Sequence, residues 1–237
     1  MFEILLGMFT HPILNYYVAI QLGIFVIFMV VAWLLYPKKN RYSILRCTMS
    51  FLGSPDDVRN PQGWYFFSIA VVWKMLTDIP LMMYFFRFLS KHSIFAAYVS
   101  ILFYGIGIIS GIIVGFFPDT EKNETSGNFF KDLRLGMVHN VAAVLSFGAM
   151  FIANFTVSIF YLVHPYTRLL SDWLPPLLIF VAAVAGGFFT QIKWQMKLKK
   201  NKTLSPWPGK GWYSLPLWEW TLFIVAEGFI YWNILII

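Results

Sequence analysis

Charge is what this sequence has least of. Asp, Glu, Lys and Arg make up 12% of its 237 residues, where an ordinary soluble domain carries about 25%. Cysteine is nearly absent: the single Cys47 excludes a disulfide within the chain, a CxxC redox pair and a Cys-rich zinc site. The four histidines are far apart, and no HExxH, GxSxG or Walker sequence occurs. There is no heptad tract, no low-complexity linker and no hydrophilic stretch long enough for a second domain. Nor is there a basic domain that could hold a duplex, so no nucleic-acid partner is expected. The opening residues MFEILLGMFTHPI lack the basic start and small-residue cleavage site of a secretory signal. They read as the beginning of a tilted first helix or a short interfacial segment.

What the sequence has in abundance is apolar surface: 59% hydrophobic residues, 20% aromatic, and a mean hydropathy of +0.67. A soluble chain of this length cannot hide that much, so lipid must serve as part of its solvent. Crossing a hydrocarbon core of ~30 Å takes about 20 apolar residues as a helix. Six runs qualify, at 14–36, 64–86, 94–117, 137–163, 174–195 and 215–237. Each is too long and too continuously apolar for the ~10-residue alternating strands of a membrane barrel. The sequence predicts an all-α, polytopic integral membrane protein, a single domain over 1–237 built as a bundle of six transmembrane helices.

Six spans put both termini on one face and the first, third and fifth loops on the other. Fourteen of the 18 Lys and Arg residues fall in those odd loops, and only Arg87, Lys91 and Arg168 lie opposite. By the positive-inside bias the odd loops face the cytoplasm and the termini face away from it. The run KWQMKLKKNK at 193–202 would meet anionic headgroups. The N-x-T sequons at Asn123, Asn154 and Asn201 are expected to be unmodified, being cytoplasmic or inside a helix.

The remaining charge, Lys74, lies inside the second span and is the only intramembrane lysine. With none in the last helix, a retinal Schiff base is not expected. Ionisable groups at bilayer depth cost ~2.5–3.5 kcal/mol each and need a reason. Asp78 follows Lys74 by four residues, a spacing that allows an ion pair on one helix face. Glu219 and Glu227 lie in the sixth span, and His139 and Asn140 open the fourth. At about 1.5 Å per residue, Lys74 and Glu227 share a depth of roughly 15–18 Å, while Glu219 and His139 lie near the membrane face. These six residues read either as one polar pocket on the cytoplasmic side or as separate locks between helices two and six. A metal site at His139 would need Asp56, Asp57 or Asp119 from the loops, so no metal and no cofactor is expected.

Gly107, Gly111 and Gly115 recur every fourth residue on one face of the third span, the spacing that lets helices approach closely in lipid. Ala182 with Gly186, and Ala183 with Gly187, repeat it in the fifth. The first loop, SFLGSPDDVRNPQGW at 50–64, carries Ser50, Gly53, Asp56, Arg59, Asn60 and Pro61. Its Gly and Pro residues suit tight bends, yet Phe51 and Leu52 suit burial, so it is expected to fold down as a lid over the polar pocket.

In order along the chain, the S-x-LG and NP pairs of that loop, the VGFFPD end of a glycine-rich helix and the HNVAAVLSF start of the next resemble the DRAM/Sfk/Frag group of six-helix membrane proteins and their uncharacterised prokaryotic relatives. The resemblance covers roughly residues 45–155. It rests on Ser50, Gly53, Asn60, Pro61, Gly115, Pro118 and His139, while the stretch between Pro118 and Gly136 is longer and more charged than the group's pattern. It implies lipid-related roles without a catalytic constellation.

The reading that follows is a non-enzymatic membrane protein that binds or organises lipid, with membrane lipids and protein partners within the membrane as its partners. Lys74 and the loop arginines would hold a phosphate headgroup while glycine grooves accept acyl chains. Two alternatives stay open: a small proton-linked transporter or channel exchanging protons at Asp78, Glu227 and His139, and a structural subunit of a larger membrane assembly. A third is a lipid-modifying enzyme with His139 as general base.

Overall fold

The computed structural model describes residues 2–45, 47–57, 59–119, 135–164, 169–201 and 215–237. Arg46, Lys122, Asn123, Lys131, Arg134, Arg168, Lys202 and Lys210, counted above for charge or as a sequon, lie outside the described residues. The described chain is entirely helical. A short α1 (Phe2–Leu5) precedes α2 (His11–Leu34), a 3₁₀ turn (Met49–Gly53), α3 (Trp64–Ser90), α4 (Ile94–Phe116), α5 (Leu135–Val163), α6 (Leu170–Asn201) and α7 (Leu215–Ile236). Six of these helices are long and apolar enough to cross a membrane, and the chain is a multi-pass integral membrane protein.

Local chemistry explains where the helix ends differ from the apolar runs. Helix α2 starts at His11 because Thr10 is extended and Pro12 fits the first turn, where its missing N–H is no loss. It stops at Leu34, since a residue before a proline such as Pro37 is biased away from helical backbone. Helix α6 begins four residues ahead of the apolar run and carries Pro175 and Pro176 inside it. Pro176 has no N–H for the carbonyl oxygen of Asp172, and Trp232 Nε1 of α7 donates to that oxygen instead.

Consecutive helices from α2 to α5 pack against one another, α6 packs on α7, and α7 also touches α5, α2 and α3. Helix α2 buries Leu14, Val18, Gln21, Phe25, Met29 and Ala32, at steps of three and four residues. Its other face exposes Tyr16, Ile20, Ile27 and Leu34. A helix apolar on both faces is what lipid solvent permits.

The glycine face of α4 serves two neighbours. A Cβ on Gly115 would lie 2.6 Å from Val72 Cγ2 and 3.2 Å from the Ser68 carbonyl oxygen, and one on Gly111 would lie 2.6 Å from Met75 Sδ, all on α3. A Cβ on Gly107 would instead meet Met150 of α5 at 3.0 Å, where Ser146 Oγ donates to the Gly107 carbonyl at 2.9 Å. In α6, Gly186 lies under the Trp218 ring and Gly187 against Leu222, both of α7. In α3, Pro80 interrupts the helical ladder, and the preceding turn takes donors from α2. Tyr17 OH donates to the Thr77 carbonyl at 2.8 Å and Gln21 Nε2 to the Lys74 carbonyl at 3.3 Å.

Candidate functional site

Lys74, Asp78 and Glu227 form one buried triad between α3 and α7. The Lys74 ammonium lies 2.6 Å from Asp78 Oδ2 and 2.7 Å from Glu227 Oε2, and its side chain is 1% exposed. Asp78 and Lys74 are one turn apart on α3, so their pairing is a local consequence of helical spacing. Glu227 reaches them because Ala226, Phe229 and Ile230 bury the same side of α7. A second α2 contact completes the Asp78 shell: Gln21 Nε2 donates to Oδ1 at 2.6 Å. Tyr231 OH of α7 donates to the same oxygen at 3.1 Å, and its ring lies 5.5 Å from Lys74 Nζ. Asp78 therefore accepts three donors. Glu227 has only the ion pair with Lys74, and neither of its oxygens makes a hydrogen bond among the described residues.

A neutral network abuts the triad. Tyr104 OH of α4 donates to Asn154 Oδ1 of α5 at 2.7 Å, and Asn154 Nδ2 donates to the Ala226 carbonyl of α7 at 3.3 Å. Every helix from α2 to α5, together with α7, thus places a polar side chain toward the centre of the bundle.

Lys74 also lines a cavity of about 60 Å³ between α3, α4 and α5. Its walls are otherwise apolar apart from Ser146, and include Phe67, Val71, Met75, Val114, Phe147 and Met150. Met49 of the 3₁₀ turn contributes to the lining. That turn lies against the bundle: Leu52 is 1% exposed, Gly53 sits on the Phe67 ring, and Ser54 and Asn60 are buried. Asn60 Nδ2 donates to the carbonyls of Ala32 and Leu52 at 3.0 and 2.8 Å, tying α2 to the turn. Glu219 Oε1 accepts the Met49 amide at 3.2 Å, and Ser50 Oγ lies 2.9 Å from Thr48 Oγ1. Arg59 Nη1 donates to Asp119 Oδ2 at 2.7 Å, with its guanidinium 4.1 Å over the Phe51 ring and 4.0 Å from Asp56. Pro61 is half-buried ahead of α3.

The six polar candidates do not share one pocket. Lys74, Asp78 and Glu227 meet at the centre, but Glu219, two turns earlier on α7, is spent on the 3₁₀ turn. His139 is buried at the start of α5, where its Nδ1 lies 2.8 Å from the Phe117 carbonyl, pinning the corner that follows α4. Asn140, one residue on, points away from the bundle and is exposed, because a 100° step per residue carries it off the buried face. Among the described residues no three His, Cys, Asp or Glu side chains gather as metal ligands.

The loop before the 3₁₀ turn is clasped as well. Trp220 Nε1 donates to Tyr42 OH at 2.7 Å, and Tyr42 OH donates to the Thr48 carbonyl at 3.1 Å. Burial raises the Tyr42 phenol above its ordinary value, and the Trp220 bond works against that rise.

Gln21, Tyr104 and Tyr231 were not singled out from the sequence, and Asn154 was noted there only as a sequon. Each occupies a buried step in a largely apolar helix face, and that position was the only available signal. A neutral amide or phenol carries no charge to advertise that it is out of place. No family model, no curated protein and no solved structure matches this chain.

Proposed function

We propose that this chain is a non-enzymatic membrane protein that binds lipid through a hydrocarbon chain rather than through a phosphate headgroup. The observation that carries the reading is the apolar cavity that Met49 helps to line, between helices whose outer faces are apolar. Three flexible methionines, Met49, Met75 and Met150, line it and can give way to a chain end. The headgroup role expected for Lys74 loses its support. Its ammonium already faces two carboxylates, a setting that repels phosphate. Arg59 is held by Asp119 and is equally engaged. The short-motif resemblance to the DRAM/Sfk/Frag group points toward lipid as well.

Native mass spectrometry of the detergent-released protein tests this. Wild type is expected to retain lipid, and Ala143→Phe, which fills the cavity from α5, to release it while thermal stability stays within a few degrees. Equal lipid retention by the two proteins would rule the cavity out as the binding site.

A proton-linked reading has its own observation, the triad with one ammonium and two carboxylates.

A further inference from the structure

We propose that the Lys74–Asp78–Glu227 triad is a proton-binding site and that Glu227 holds the proton. The inference rests on the triad alone and stands whether or not the cavity takes a lipid chain. With both carboxylates ionised, one ammonium would leave a surplus negative charge at the centre of the bundle. No other Lys or Arg pairs with these carboxylates among the described residues. The remaining groups that face the triad are neutral: Tyr17 and Gln21 from α2, Tyr104 from α4, Asn154 from α5 beside Ala226, and Tyr231 from α7. An uncompensated charge at that depth is costly, and one bound proton removes it.

The donors decide which carboxylate takes that proton. Hydrogen bonds to a carboxylate favour its ionised form. Asp78 accepts from Lys74, Gln21 and Tyr231, and both of its oxygens are partnered. Glu227 faces one cation, and neither of its oxygens makes a hydrogen bond. Protonated at Oε1, Glu227 keeps Oε2 turned to the Lys74 ammonium, and the triad becomes neutral. Binding adds one proton from the aqueous phase and release returns it, with no other bond made or broken. His139, expected from the sequence as a partner in proton exchange, is held at the Phe117 carbonyl and takes no part.

Infrared spectra of the full chain in lipid nanodiscs at neutral pH test the assignment. They are expected to show the carbonyl stretch of a protonated carboxylic acid that shifts when glutamate carries a heavy-carbon label in its side-chain carboxyl. Labelling aspartate should leave the band in place. The band is expected to vanish in Glu227→Gln and to persist in Glu219→Gln. It should also vanish in Asp78→Asn, where Lys74 has a single carboxylate left to neutralise. A wild-type spectrum without the band, a band that follows the aspartate label, or one that disappears in Glu219→Gln would each overturn the proposal. Because the labelled wild type and Glu219→Gln can each overturn the proposal, it stays open to refutation even where the Glu227 variant fails to fold.

Discussion

Lys74 on α3 and Glu227 on α7 meet at 2.7 Å, joining the last helix of the chain to the first hairpin of the bundle. Around that contact the helices supply a single ammonium, two carboxylates and a shell of neutral donors. The bundle is thereby joined at its centre by polar contacts, while its outer faces are largely apolar.

Removing Lys74 should therefore do more harm than removing either acid. Lys74→Met strands the buried Asp78 carboxylate beside Glu227, and breaking such a pair from one side costs about 3–5 kcal/mol. Adding Asp78→Asn and Glu227→Gln to that variant removes the stranded charge and should restore most of the loss. Thermal unfolding in detergent measures both. A triple variant no more stable than Lys74→Met would show that the triad is held by shape rather than by charge.

The α3–α4 spacing gives a graded series. Gly115→Ala presses a methyl against Val72 and the Ser68 backbone, neither of which can move aside, and should cost about 1–3 kcal/mol. Gly111→Ala meets the flexible end of Met75 and should cost less. Gly105 has nothing within 4 Å of where its Cβ would lie. Its change to alanine should be neutral or stabilising by up to about 1 kcal/mol. Equal melting temperatures for all three variants would remove close approach as the reason for these glycines.

Tyr42 predicts an alkaline weakness in the loop clasp. Burial raises its phenol above the ordinary value of 10.0, outweighing the opposing hydrogen bond from Trp220. The folded chain then keeps a proton that the unfolded chain gives up first. This contribution to stability is complete below about pH 10 and is lost as pH rises beyond it. Tyr36, also raised chiefly by burial, acts in the same direction. Wild type should lose stability above pH 10 more steeply than Tyr42→Phe, followed by thermal melts alongside tyrosinate absorbance. Parallel slopes would mean that Tyr42 titrates alike in both states.

Much of the fold was legible because lipid leaves the chain few choices. An apolar run near 20 residues must satisfy its own backbone, and a helix does so. Proline placement accounts for the shifted ends of α2, at Pro12 and Pro37. The site was legible only where spacing is local. Lys74 and Asp78 announce their pairing by lying four residues apart, whereas Asn140 could be excluded only once the buried face of α5 was known. His139 likewise looked chemical, and its nearest partner is a backbone carbonyl that closes a corner.

By itself the sequence determined six lipid-crossing helices, a glycine face on α4 and a charged pair within α3. All three follow from hydrophobic length and helical period, which act along one chain segment at a time. Tertiary structure alone decided that Glu227 completes that pair and that Gln21 and Tyr231 arm Asp78 but not Glu227. It also decided that Met49 lines the cavity. These contacts depend on how helices rotate and slide against one another, and between surfaces that are apolar all round no sequence period sets that rotation. The few buried polar side chains supply the directional contacts that do.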